Sequence, residues 1–388
     1  MAKTFNVTAD CKPGEHYMVN LDWRLEEIKE LVDSGKYFTI NRARQYGKTT
    51  VLRALNRYLQ GEYYAVLMDF QTFGDAKFKN ENIFAITFGS SFLRMLKRNH
   101  VCMTEDFKKA LTSLEKQVDT RGENFEQKEL FEALGDICGA SDRRIVLMID
   151  EVDSATNNQV FLDFLSQLRA GYIDRDVQPA FQSVILAGVY DVKNLRRKIR
   201  TEDEHKINSP WNIAADFKVE MSFSEKDIKR MLEDYESDYR TGMETGRMAE
   251  LLYDYTSGYP FLVSKLCKLI DEEISGTKEF PSKSAAWTNN GLNEAVRLIL
   301  TEKNTLFESL SQKLAIYPEL NEILKALLFN GKSIAYNPDE PAVDMAAVFG
   351  FIKNQEGSIA IANRIFETRL YNYYLSAAEI ETMLSANY

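Results

Sequence analysis

A chain of 388 residues is long enough for two or three domains, each able to bury its own core. Its composition, 45% hydrophobic and 27% charged with only 8 Pro and 19 Gly, argues against long disordered or low-complexity stretches. The balance of 48 Lys and Arg against 58 Asp and Glu leaves a net charge of −10, so no global field draws polyanions and any nucleic-acid contact would need a local basic patch.

The opening MAKTFNVTAD has no basic-then-apolar signal pattern, and no apolar run reaches the ~18 residues of a membrane span. The expected compartment is the cytoplasm, with no membrane partner. Cys11, Cys102, Cys138 and Cys267 are far apart and lack C-x-x-C spacing, and His16, His100 and His205 are equally dispersed. That pattern suggests neither a disulfide framework nor a zinc site.

In chain order, apolar residues at 21, 25, 28 and 31/32 predict an amphipathic helix, with Gly35 at its stop. A short strand, KYFTI (36–40), follows. The loop NRARQYGKTT (41–50) then leads into a helix whose Val51, Leu52, Leu55, Tyr58 and Leu59 share one face. Further strands are expected at 63–70 (YYAVLMDF), 143–150 (RRIVLMID) and 183–189 (SVILAGV), with helices over 81–140 and 161–172 between them. The unbroken apolar run at 145–149 implies burial on both faces, as in a parallel sheet, and strands alternating with helices imply an α/β domain.

Beyond residue 222 the pattern turns helical: SFSEKDIKRMLEDYES, MAELLYDYTSG and FLVSKLCKLIDEEIS. Residues 280–290 (FPSKSAAWTNN) are the best linker candidate. Helices resume at Leu292 and Pro318, and FIKNQEGSIAIAN (351–363) reads as two short strands around a Glu-Gly turn, a winged-helix-like ending. The expected boundaries are therefore 1–221, an α/β domain, 222–285, a small helical domain, and 286–388, a winged-helix-like domain. The many aromatic residues are most simply core.

The loop at 41–50 ends like a phosphate-binding loop, G-x-x-x-x-G-K-[ST], but has Arg42 where the first glycine belongs. That glycine supplies backbone freedom, so an arginine with negative φ can replace it. Arg44, Gln45, Tyr46, Gly47, Lys48, Thr49 and Thr50 would wrap the phosphates. Lys48 would reach the terminal phosphates, and Thr49 would bind Mg²⁺. The partner motif is IVLMIDEVD, which puts Asp150 and Glu151 at the carboxyl end of a buried strand. Asp150 would hold the Mg²⁺ shell and Glu151 would polarise the attacking water. The competing explanation of DEVD is a cap for the next helix.

RARQYGKTT, VLMIDEVD, SPWNIAADFKVEMSFS and TSGYPFLVSKLC together resemble the bacterial AAA-like ATP-binding proteins, related to the STAND and archaeal ATPase branches of the P-loop NTPases. The resemblance covers most of residues 10–375 and is looser over the last hundred. It implies a mostly parallel AAA-like sheet, a helical lid and a C-terminal winged helix. ATP or ADP with Mg²⁺ would be the ligands, and Pro260 of Gly258-Tyr259-Pro260 would approach adenine. STAND members carry a Gly-Arg pair before the first helix, where this chain has MVNLD (18–22). The sensor-1 position of AAA-type enzymes usually carries a polar residue, whereas the strand here ends in Ala187 and Gly188, followed by Tyr190 and Asp191.

KNLRRKIR (193–200) offers Arg196 or Arg197 as an arginine finger, against the plainer reading of a solvated basic loop. The helix before the expected wing carries Asp339, Glu340 and Asp344 and no base, so a protein partner is favoured over DNA, with Lys353 and Arg364 as the wing's own bases. The expectation is an ATPase (ATP and water to ADP and phosphate) whose cycle drives a conformational switch on a partner, with assembly into a homo-oligomer left open. The alternatives are a non-hydrolysing nucleotide-bound interaction module and an ATP-regulated DNA-binding protein.

Overall fold

The structure, a computed structural model, describes residues 3–99, 103–120, 122–189, 211–331 and 333–385. Its internal contacts divide the chain into two units. One comprises Leu21–Arg42 and Lys48–Glu220, the other Met1–Asn20, Ala43–Gly47 and Met221–Tyr388. The chain opens with two short parallel strands of the second unit, β1 (Thr4–Phe5) and β2 (His16–Tyr17).

The first unit begins with α1 (Asp22–Asp33), which buries Arg24, Leu25, Ile28 and Val32 and ends before Gly35, where φ is +64°. Strand β3 (Phe38–Asn41) and helix α2 (Lys48–Leu59) flank the loop. Val51, Leu52, Leu55 and Leu59 of α2 are buried, but Tyr58, expected on the same face, is 43% exposed because it lies at the flank of that narrow stripe. Next come β4 (Tyr64–Asp69), α3 (Glu81–Asn99), α4 (Glu105–Thr120), α5 (Gln127–Ala140), β5 (Ile145–Asp150), α6 (Gln159–Ile173) and β6 (Ser183–Gly188).

The four strands form one sheet in the order β3-β6-β5-β4, every pair parallel. All residues of β5 and β6 are buried, as the apolar run predicts for strands covered on both faces. Register places Asn41 opposite Gly188 and Asp69 opposite Asp150, so these residues share the carboxyl edge. One face is covered by packed aromatic rings: Phe70 lies within 6.5 Å of Phe73, Phe78, Phe84, Phe88, Phe161 and Phe164. After Trp211, which is fully buried, the chain runs beside β3: the Ala215 N–H donates to the Tyr37 carbonyl at 2.8 Å, and Phe217 stacks on Phe38.

In the second unit Ser224 and Asp227 form a capping box that starts α7 (Glu225–Tyr239). There follow α8 (Thr245–Thr256), α9 (Pro260–Lys268) with a π-helical continuation at Leu269–Ile274, the short α10 (Lys283–Ala286) and α11 (Asn289–Thr301). Residues 280–290 are not a linker. Trp287 is buried and its indole N–H donates to the Tyr235 hydroxyl at 2.9 Å, while Lys283 pairs with Asp271. Strands β1 and β2 belong here for the same reason: the Phe5 and Tyr17 rings pack on each other and on Tyr235, with Trp287 5.8 Å from Phe5.

The last region runs α12 (Thr305–Ile316), α13 (Pro318–Phe329), α14 (Pro341–Val348), β7 (Ile352–Gln355), β8 (Ser358–Ile361) and α15 (Arg364–Ser385). The hairpin turns through Glu356 and Gly357, both at positive φ, the geometry that matches the twist of two antiparallel strands.

Candidate functional site

At the carboxyl edge of the sheet, β5 delivers Asp150, only 4% exposed. Its Oδ2 accepts a hydrogen bond from the Thr49 hydroxyl at 2.6 Å, and its Oδ1 accepts from the Glu151 N–H at 3.0 Å. The two motifs a hundred residues apart are thus joined by one short bond. Burial pushes the Asp150 carboxyl above the usual range, and the bonds from Thr49 and Glu151 together with the Lys48 charge offset part of that rise. Lys48 opens α2 and is 6% exposed, and its Nζ donates to the Arg42 carbonyl at 2.9 Å.

Glu151 leaves β5 in the left-handed region, with φ of +53°. A glutamate held there costs energy that the surrounding structure has to supply. Its carboxyl is also raised, first by burial and then by the neighbouring Asp150 charge, with Lys48 acting the other way. A short 3-10 turn, Val152–Ala155, follows Glu151, whose own side chain makes no capping bond.

Arg42 is not among the residues with positive φ, so it holds the first-glycine position in an ordinary backbone conformation. Its N–H donates to the Gly188 carbonyl at 3.2 Å, extending the β3–β6 ladder by one bond. Its guanidinium donates to the carbonyls of Asn41 and Val219 and lies over Phe217. The substituted residue therefore ties the loop's base to the segment beside β3.

Positive φ within the loop falls at Gln45 (φ +58°) and at the motif's second glycine, Gly47 (φ +80°). Residues 43–47 group with the second unit, and there Arg44 is exposed and the Tyr46 hydroxyl bonds that of Ser222 at 2.8 Å. Thr50 follows Thr49 in the first turn of α2. Pro260 is the first residue of α9, and its place is set by Gly258: a Cβ at Gly258 would sit 1.9 Å from the Phe223 carbonyl oxygen, where φ is already +72°. Arg196 and Arg197, with Tyr190 and Asp191, lie outside the described residues.

A residue not singled out from sequence completes the edge. Asp153 accepts from the Val189 N–H at 2.6 Å, and a Cβ on Gly188 would fall 2.8 Å from its Oδ1. The bare Ala187-Gly188 end of β6 thus makes room for an acidic side chain arriving from the β5 side. Its sequence signal is the final letter of DEVD.

The donor set suits a small hard cation. Mg²⁺ takes oxygen ligands and is usually held by one or two carboxylates together with substrate phosphates. A buried carboxylate and a threonine hydroxyl 2.6 Å apart, beside a buried lysine, fit that description.

The family model described as an AAA-like domain matches residues 14–375. No curated protein matches the chain. Among solved structures it is similar to a Walker-type ATPase of Pyrococcus abyssi, with 13% identity, a TM-score of 0.60, and coverage of 95% of this chain and 99% of that one. At that identity the likeness establishes the fold, an α/β P-loop ATPase fold with a parallel sheet. The ORC2 protein of Aeropyrum pernix, in ADPNP–ADP complexes, covers 95% of this chain and 97% of its own at 12% identity, but its TM-score of 0.45 is too low to support more.

Proposed function

This chain belongs to the AAA-like domain family, and from that membership we propose that it binds Mg-ATP and hydrolyses it to drive a conformational switch on a protein partner. Support comes first from the Thr49–Asp150 bond, which gathers the two phosphate motifs into one oxygen-lined cluster. Backbone N–H groups of residues 44–50 would receive the phosphates, with the Lys48 ammonium exchanging the Arg42 carbonyl for a phosphate oxygen. Thr49 and Asp150 would hold Mg²⁺, whose charge neutralises that developing on the phosphate oxygens. Glu151 would accept a proton from the attacking water. Its raised pKa suits a base that must take up that proton.

Residues 222–285 act in this proposal as the lid, with Pro260 toward adenine, and 286–388 as a winged-helix-like domain. The test is thermal stabilisation by Mg-ATP. Lys48→Ala should abolish or strongly reduce it while the unliganded protein melts normally, since a charge is lost and the loop backbone is untouched. Equal stabilisation of the two proteins would remove the assignment.

One observation favours a second reading, a module that keeps nucleotide without turning it over: β6 ends in Ala187 and Gly188, which offer no polar side chain where the resemblance puts sensor 1, and Tyr190 and Asp191 lie beyond the described residues. Phosphate release in steady state separates the two. The DNA-binding alternative is weakened by the two bases expected on the wing, of which Arg364 instead opens α15. Lys353 donates to the Ser257 hydroxyl at 3.1 Å, and Arg364 pairs with Asp254 and lies over Tyr255.

A further inference from the structure

The residue between glycine and proline in Gly258-Tyr259-Pro260 is the least expected participant. Tyr259 is 3% exposed, and its hydroxyl donates to the Arg44 carbonyl at 2.5 Å. Arg44 lies in the middle of the phosphate-loop segment, so a side chain 215 residues away fixes the direction of one of the loop's peptide groups. The Tyr259 ring meets the Tyr46 ring edge-on at 4.6 Å, bracing a second loop residue. On its other side the ring packs edge-on against Phe366 of α15 at 5.5 Å. Two weaker contacts act on the same five residues: Gln45 Nε2 donates to the Thr305 hydroxyl at the start of α12, and a Cβ on Gly350 would fall 2.8 Å from that of Ala43.

We propose that Tyr259 is a positioning residue for ATP, acting through the Arg44 carbonyl to hold the phosphate loop in its binding conformation and linking that conformation to α15. This rests on the nucleotide-binding reading above. A peptide whose carbonyl is held away from the anion presents its neighbouring N–H groups consistently, which is the requirement of an anion nest. The Tyr259 side chain is buried, so its end of the bond is shielded from water, and phenylalanine there removes this partner from the Arg44 carbonyl. The contact is built from a side chain, so it can be removed with the ring and its packing kept.

The experiment compares full-length wild type, Lys48→Ala, Tyr259→Phe, Thr305→Val and Tyr374→Phe for Mg-ATP affinity, for KM and kcat of phosphate release, and for melting temperature without ligand. Tyr374 is a control, its hydroxyl bonding Asn321 away from the loop. Tyr259→Phe should raise Kd and KM up to about tenfold, the upper end of the scale of one hydrogen bond, and change kcat less. Thr305→Val, at a solvent-facing contact, should raise them about twofold and Tyr374→Phe not at all. A Tyr259→Phe protein with a lower melting temperature but wild-type Kd and KM would make Tyr259 merely structural and overturn the inference. If that variant does not fold, Thr305→Val decides: unchanged affinity overturns it. A wild type that binds no nucleotide sinks the proposed function and this inference together. Binding that is lost in Lys48→Ala but intact in Tyr259→Phe sinks this inference alone.

Discussion

Glu151 combines two costs at one position, a left-handed backbone and a half-buried carboxyl beside the Asp150 charge. Removing either should stabilise the fold while damaging turnover, the usual opposition between stability and a strained functional residue. Glu151→Gln should bind Mg-ATP and hydrolyse it on the order of 10²–10⁴-fold more slowly, the range for losing a positioned base. Glu151→Asn, whose side chain tolerates the left-handed region, should be as slow and more stable than Glu151→Gln by about 0.5–1 kcal/mol. Single-turnover hydrolysis and urea unfolding measure the two effects. A Glu151→Gln protein that turns over at the wild-type rate would show that another group takes the proton. Asp150→Asn differs in kind: it should weaken the dependence of ATP affinity on Mg²⁺ concentration, because the carboxylate bonded by Thr49 is the one proposed to hold the cation.

At the scale of elements, the motif strands were legible because their signals are local. An apolar run of five identifies β5, and the charged residues after it must then leave at the sheet's edge. Ser224 and Asp227 announced α7 through capping, and the Glu356-Gly357 turn announced the hairpin. What stayed hidden depends on partners distant in sequence. FPSKSAAWTNN has a linker's composition, yet Trp287 finds Tyr235 and Phe5. Tyr259 was only the variable letter of a motif until its hydroxyl met Arg44, and Arg42 was a tolerated exception until Val219 and Phe217 received it.

Two predictions belong to elements. Gly258→Ala forces a Cβ against the Phe223 carbonyl at positive φ and should destabilise by about 2–4 kcal/mol, read by urea unfolding. In the last turn of α7, Glu236 accepts from the Thr241 hydroxyl and the Gly242 N–H, both at 2.6 Å. Partial burial pushes its carboxyl up, but these bonds, with the N–H groups of Thr241 and Met243, outweigh it and hold the pKa below the ordinary 4.5. A depressed carboxyl gives stability that is present above its unfolded-state pKa and disappears as pH falls through the folded one. Wild type should therefore unfold at higher urea than Glu236→Gln at pH 7, and the gap should close below pH 4.5. A gap independent of pH would mean that the carboxylate's charge contributes nothing there.

For the whole molecule, charge and contact point the same way. The chain carries −10 overall, and two bases at the hairpin end of the chain, Lys353 on β7 and Arg364 at the start of α15, already face Ser257 and Asp254. Neutralising several phosphates requires several free cations on one face. Full-length protein titrated with labelled duplex DNA at near-physiological salt should accordingly bind no tighter than non-specifically, with or without ATP. Submicromolar, salt-sensitive binding would reverse the choice of partner. Among the described residues no helix is long and apolar enough to cross a membrane.

The grouping of Ala43–Gly47 with residues 221–388 also bears on inheritance. These five codons lie between those for a strand and a helix of the other unit, yet the side chains that hold their products, Ser222, Tyr259 and Thr305, are encoded far downstream. A recombination that exchanged the 3′ halves of two related genes at codon 220 would leave every loop codon intact and still pair the loop with unfamiliar neighbours. Such chimaeras should fail at nucleotide affinity before they fail at folding, and compensating changes should appear in pairs, one within 43–47 and one beyond 221.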